Sequence, residues 1–158
     1  MSGKKFSSSN LPPVERASIR PAAIDDAEAI AVLTVELGYP TTGSDTRFRL
    51  GTLLAAPDYF IAVAEVNGVV VGWVAGEVRA SLEFEPRVEI VGLVVAPTHR
   101  RSGIGKALVE AVEDWQSGRG ISTIFVRSNV ARSDSHPFYE SIGYRRHKTQ
   151  HAYTKQVE

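Results

Sequence analysis

Val94-Val95-Ala96-Pro97-Thr98-His99-Arg100-Arg101-Ser102-Gly103-Ile104-Gly105-Lys106-Ala107-Leu108 is the stretch from which the rest of the chain is read. It closes an apolar run over residues 89–95, rich in β-branched side chains, which reads as a strand halted at Pro97. From Ile104 onward the apolar positions adopt helical spacing. A strand that turns tightly into a helix collects bare backbone N–H groups and the positive end of the helix dipole at one point. Gly103 and Gly105 let the backbone come close to a ligand, and Arg100, Arg101 and Lys106 add positive charge. A turn of this kind binds phosphate groups.

Two common phosphate motifs do not fit. A Walker loop needs a glycine where Arg100 stands and a hydroxyl where Ala107 stands, although Gly105-Lys106 is present. A dinucleotide fingerprint needs a third glycine at Leu108. Arg100-x-x-Gly103-x-Gly105 does match the R/Q-x-x-G-x-G/A signature, and in this strand–turn–helix setting it resembles the GNAT superfamily of acyl-CoA-dependent N-acyltransferases. The resemblance implies that residues 100–106 (Arg100, Arg101, Ser102, Gly103, Ile104, Gly105 and Lys106) hold the pyrophosphate of coenzyme A. Without it, the hexapeptide reads as a basic turn at a helix start.

Composition narrows the field. The 158 residues suit one domain with a sizeable core, and 43% hydrophobic and 23% charged content are ordinary for a globular protein. With 18 basic and 18 acidic side chains the formal net charge is zero, which argues against nucleic acid or an anionic membrane as principal partner. The absence of cysteine excludes disulfides, thiolate metal sites and a cysteine acyl-enzyme. No apolar run reaches the roughly 18 residues of a membrane span, and the N-terminus lacks the apolar core of a secretory signal. The expected location is the cytoplasm.

Residues 1–16, with their serines and Pro12-Pro13, read as a disordered lead, and residues 17–158 as a single domain. A short strand is expected from Ala17 to Arg20. Asp25 and Glu28 form a capping-box pattern ahead of a helix bearing Ile30, Ala31, Leu33 and Leu37, which Gly38 ends. Ser44 is placed to cap a second helix carrying Leu50, Leu53 and Leu54. Asn67-Gly68 marks a two-residue hairpin between strands at residues 59–66 and 69–78, and residues 87–95 complete an antiparallel meander. Ile104, Ala107, Leu108, Ala111, Val112 and Trp115 form one apolar helix stripe. A strand over residues 123–126 follows, parallel to residues 87–95 because a helix joins them. A short helix from His136 to Ile142 and one or two closing strands within residues 144–157 end the chain.

A second stretch strengthens the resemblance. Asn129, then Arg132, then Ser135-His136-Pro137-Phe138-Tyr139-Glu140-Ser141-Ile142-Gly143-Tyr144, looks like the GNAT pattern of an asparagine followed by F-Y-E-x-x-G-[FY]. The two motifs stand in family order, and the likeness covers residues 18–157. It implies an α/β GNAT fold, with a mixed and mostly antiparallel sheet of six to seven strands flanked by about four helices. It also implies that Leu93, Val94 and Val95 pair their backbone with pantetheine, and that Asn129 bonds the cofactor arm.

Acyl transfer from a thioester to an amine needs a neutral amine, a stabilised oxyanion and a proton for the leaving thiolate. By family position Tyr139 is the general acid, against a plain reading as a packed aromatic. Glu89, eleven residues before Arg100, is where several family members carry a general base; the competing readings are a solvated carboxylate at the strand start and an ion pair with Arg87. His99, His147 and His151 lack metal-ligand spacing, and no metal is expected. The function implied is transfer of an acetyl group from acetyl-CoA to a primary amine by direct attack in a ternary complex. The amine may belong to a small molecule, a peptide or a protein, and a homodimer stays open. The alternative is a non-catalytic acyl-CoA-binding or sensor domain.

Overall fold

Asn67 and Gly68 take φ angles of 50° and 78°, the pair of left-handed residues that a tight hairpin needs, and they join β2 (Tyr59–Val66) to β3 (Val69–Arg79). The computed structural model describes residues 16–158, so the expected disordered lead lies outside the described residues except for Arg16. The chain divides into two compact units that meet in sequence after Phe125. Five strands stand in the order β1-β2-β3-β4-β5, with β1 (Ser18–Pro21), β4 (Arg87–Val95) and β5 (Ile124–Val126). β1 to β2, β2 to β3 and β3 to β4 are antiparallel pairs. β5 begins beside the start of β4, where Val88 N–H donates to Thr123 O at 3.1 Å.

Cross-strand pairing assigns the sheet's two faces. Ile61, Val63 and Ala75 face α1 (Ala27–Glu36) and α2 (Gly43–Leu54), burying Ala27, Ile30 and Leu50. The other face carries α3 (Ile104–Ser117), whose Leu108, Val109 and Val112 are fully buried. A β-carbon added at Gly72 would stand 3.2 Å from Leu108 Cδ1, and one at Gly76 would stand 3.1 Å from Val112 Cγ1. The two glycines therefore let α3 settle close to β3.

The pairing slips once between β3 and β4. Gly92 faces Ala75 and Ile90 faces Gly76, leaving Val91 as the extra residue of a β-bulge.

Three expectations change. Asp26, which is buried, and not the exposed Asp25, stands at the start of the first helix, and its carboxylate bonds back to the preceding turn and makes no capping bond to the helix itself. Asp26 accepts from Ala23 N–H at 2.7 Å and from both terminal nitrogens of Arg20 at 2.8 and 2.9 Å. Thr42, two residues before Ser44, caps α2 by accepting Asp45 N–H at 3.1 Å. Among the described residues the sheet has five strands and not six to seven: residues 145–158 form no strand and are exposed throughout. That segment, Arg-Arg-His-Lys-Thr-Gln-His-Ala-Tyr-Thr-Lys-Gln-Val-Glu, is too polar to offer the apolar face that strand pairing rewards.

Arg20 holds the Asp26 carboxyl below its ordinary value of 3.8, against the opposing effect of burial, and the Ala23 amide adds to the lowering. A depressed folded value gives stability that is complete above the unfolded value and lost as pH falls through the folded one. Asp26→Asn should cost about 2 kcal/mol at pH 7. Denaturant titrations from pH 7 down to pH 2 should show the variant losing less stability on acidification than the wild type.

Candidate active site

The turn after β4 is built from uncommon backbone angles. Pro97–His99 form a single 3-10 turn, Arg100 is extended, and Arg101 is left-handed at φ 61°. Gly103 follows at φ 82° as the residue that opens α3. Ala107 N–H bonds to Gly103 O at 3.0 Å, which is the first hydrogen bond of the helix. By helical geometry the amides of Ile104, Gly105 and Lys106 have no carbonyl behind them to meet. Ile104 is itself buried and pins this end of the helix to the sheet, so its amide has a fixed direction.

Arg100, Arg101, Ser102, Gly103 and Lys106 are exposed around these amides, and a β-carbon at Gly103 would meet nothing within 4 Å. Arg100 Nε reaches back to Val95 O at 3.3 Å, and Ser102 Oγ donates to His99 O. Open space, outward amides and three cations make a donor set that fits a diphosphate.

Leu93, Val94 and Val95 lead into this turn, and the bulge at Val91 precedes them. β4 has nine residues and β5 three, and β5 lies beside the start of β4, so β5 does not reach the last rungs of β4. An extended ligand arm can bond to strand backbone at such an edge.

Glu89 is buried, with 3% of its surface exposed, and both its oxygens are engaged. Oε1 accepts from Arg87 Nη2 at 2.9 Å and Oε2 from Arg79 Nη1 at 3.2 Å. Pairing places Glu77 opposite Glu89 and Arg79 opposite Arg87 on the same sheet face. Two carboxylates facing each other repel, and the neighbouring guanidinium rung offsets that repulsion. Arg87 is held firmly: its guanidinium carbon lies 3.7 Å from the centre of the Phe84 ring and 3.9 Å from that of Phe125. Arg79 is far more exposed, so the Oε2 side of Glu89 is the more easily released.

The second unit carries the other two expected residues. Asn129 is exposed and its Oδ1 accepts Ala131 N–H at 2.9 Å, an Asx turn at the start of the loop. His136 Nε2 lies 3.1 Å from Asn129 O, tying α4 (Ser135–Ser141) to that loop. Tyr139 is half-buried between Phe138 and Tyr144, with ring centres at 5.0 and 5.8 Å in edge contacts. Burial pushes its hydroxyl up to about 12, against a smaller downward pull from Arg132, so it stays protonated across the physiological range.

Sequence reasoning missed Arg79, the second partner of Glu89, and Phe84, which stacks on Arg87. Both depend on strand register and loop folding, which side-chain patterns do not report. It also passed over Trp73, although Gly92 inside an apolar strand is the usual sign of a close neighbour.

A bulged α/β sheet whose central strand runs into a cationic, amide-rich helix start offers a donor set of the kind that suits a diphosphate-bearing ligand. The sequence profile of the Acetyltransferase (GNAT) family matches residues 25–144, and the chain belongs to that family. N-acetyltransferase family 8 member 3 of Mus musculus is 28% identical over 96 residues, covering 60% of this chain and 42% of that one. Aminoglycoside N(6')-acetyltransferase type 1 of Salmonella typhimurium is 25% identical over 111 residues, covering 67% and 77%. The chain spans less than half the length of the mouse relatives it matches. Among solved structures, the aminoglycoside N-acetyltransferase AAC(6')-Iy in complex with CoA superposes with a TM-score of 0.82 at 19% identity, covering 93% of this chain and 99% of that one. That likeness shows the shared fold.

A side chain at position 103 would strain the left-handed backbone, at about 1–2 kcal/mol, and crowd the open face of the turn. Gly103→Val is expected to fold with a lowered melting temperature and to lose the further rise that acetyl-CoA gives the wild type, about 2.7 kcal/mol at a hundredfold excess over Kd. Gly103→Asn, which tolerates this backbone angle, separates the two effects in the same thermal assay. An equal ligand-induced rise in wild type and Gly103→Val would remove the turn from the site.

Proposed function

We propose that residues 17–158 act as one acetyltransferase domain that moves an acetyl group from acetyl-CoA to a primary amine by direct attack, in the cytoplasm. The observation that carries this reading is the turn over residues 100–106, whose outward amides and three cations suit the pyrophosphate of coenzyme A. Bound acetyl-CoA would supply an activated thioester. The amines acted on by the relatives favour a small-molecule acceptor, and the exposed Glu83 and Glu85 on the loop between β3 and β4 suit a cationic one.

The proton balance assigns two roles in this reading. The attacking amine must lose a proton and the departing thiolate must gain one. Tyr139 serves the thiolate. A hydroxyl at about 12 is a weaker acid than a thiol, whose ordinary value is about 8.5. Tyr139 therefore acts first as a hydrogen-bond donor to the charge growing on sulfur; passing its proton to the thiolate is uphill on its own and goes to completion as the tyrosinate takes up, through solvent, the proton that the amine has shed. Asn129 orients the cofactor arm through its side-chain amide. Glu89 accepts the amine's proton at Oε2, directly or through water, when the Arg79 bond opens, while Arg87 keeps the carboxylate in place.

Release of free CoA from acetyl-CoA, measured against aminoglycosides, polyamines, amino acids and peptide N-termini, tests the activity. Turnover with at least one amine is expected. Tight binding of acetyl-CoA with no turnover on any amine would favour the binding-module alternative.

Tyr139→Phe keeps the ring and should lower turnover by ~10²-fold or more with cofactor affinity retained, and thioesters with better leaving groups should suffer less than acetyl-CoA. Glu89→Gln should lower turnover mainly near neutral pH and recover at high pH, where the amine is already deprotonated. An unchanged pH–rate profile would leave Glu89 as the centre of a structural ion-pair cluster.

A further inference from the structure

Gly92 is the first residue of β4 after the bulge at Val91, and a side chain there has nowhere to go. A β-carbon at Gly92 would stand 2.5 Å from Trp73 Cη2 and 2.6 Å from Cζ3, so the indole ring lies directly against the glycine. Trp73 comes from β3, where it pairs with Val94, and its ring leans along β4 towards Gly92. It packs on the face that carries α1 and α2, against the cluster of Ala27, Ile30, Leu50 and Val63. The ring therefore occupies the volume above the strand at the bulge.

From the phosphate-binding turn, the arm of the ligand passes Val95, Val94 and Leu93 before reaching Gly92. Those three steps measure about 10 Å at roughly 3.3 Å per residue. In the reading proposed above, on which this inference rests, the reacting end of the donor emerges at Gly92, under the rim of the indole. We propose that Trp73 is a specificity-determining residue that caps the acyl end of the site and confines the donor to acetyl-sized groups.

Packing alone does not account for a tryptophan here. Its Nε1 is enclosed and has no hydrogen-bond partner among the described residues, whereas buried indole N–H groups ordinarily find one. An orphaned donor costs about 1–3 kcal/mol, so a purely structural position would be better filled by phenylalanine or leucine. What the indole adds is reach, the long flat edge that lies on Gly92. The orphaned nitrogen also makes the residue easy to probe, because replacing Trp73 removes ring volume and breaks no hydrogen bond.

The test compares kcat/KM for acetyl-CoA and butyryl-CoA with a single amine in wild type, Trp73→Phe and Trp73→Leu. Wild type should prefer acetyl-CoA strongly. Trp73→Leu should raise the butyryl-to-acetyl ratio by about tenfold or more, since a methylene in an apolar pocket changes discrimination by 10- to 200-fold, and Trp73→Phe should fall between. The KM for the amine should move little, which a general loosening of the core would not reproduce. An unchanged ratio in a folded Trp73→Leu overturns the proposal. Wild-type binding supplies a measurement that needs no variant: equal Kd and equal turnover for acetyl-CoA and butyryl-CoA also overturn it. No binding of any acyl-CoA would instead mark failure of the underlying functional reading.

Discussion

The seating of α3 on the sheet is the contact on which the site depends. Leu108 and Val112 press against Gly72 and Gly76 of β3, and Ile104 buries the first turn. Burying these side chains is worth about 1.5–3 kcal/mol each, but its consequence is directional. A helix fixed at two points along β3 cannot roll, so the amides that precede its first hydrogen bond keep one orientation relative to the end of β4. The unusual φ angles of Arg101 and Gly103 are affordable only because the strand on one side and the helix on the other are both anchored. The geometry of the candidate site is a by-product of how one helix packs.

The same sheet divides the charged and apolar parts of the site. On the face that carries α1 and α2, the rungs Glu77–Glu89 and Arg79–Arg87 put four charges close together, and Phe84 and Phe125 sandwich one of the guanidiniums. A carboxylate held between two guanidiniums is well fixed and already engaged. Its use in proton transfer therefore requires exchange of a partner, and the more exposed Arg79 is the partner suited to leave. Three residues further along β4, beyond the bulge, the surroundings are apolar, and Trp73 covers the strand. The bulge at Val91 separates these two environments by changing which side chains face which way.

What could be read from sequence, and what could not, follows the range of the interactions. The strand–turn–helix over residues 87–117 was legible because its signals are local: a β-branched run, a proline, glycines at the turn and a 3.6-residue stripe. The Asn67-Gly68 hairpin was legible for the same reason. The acidic residue that fixes the start of the first helix is Asp26, one residue beyond Asp25, since the deciding partner, Arg20, lies on β1, before the helix. One or two closing strands were expected within residues 144–157, although residues 145–158 lack an alternating apolar pattern. Arg79 beside Glu89 and Trp73 over Gly92 depend on the register of β3 against β4, shifted by one bulge, and no single-strand pattern encodes that register.

Amide hydrogen exchange tests the central claim most directly. Addition of coenzyme A should slow exchange at residues 103–106 and along residues 93–95, because the ligand's diphosphate and arm take up those backbone donors. Pantetheine, which carries the arm without the diphosphate, should leave residues 103–106 exchanging as in the free protein even when enough is added to bind. Binding of coenzyme A with no slowing at residues 103–106, or equal slowing by pantetheine, would contradict the assignment of this turn as the diphosphate site.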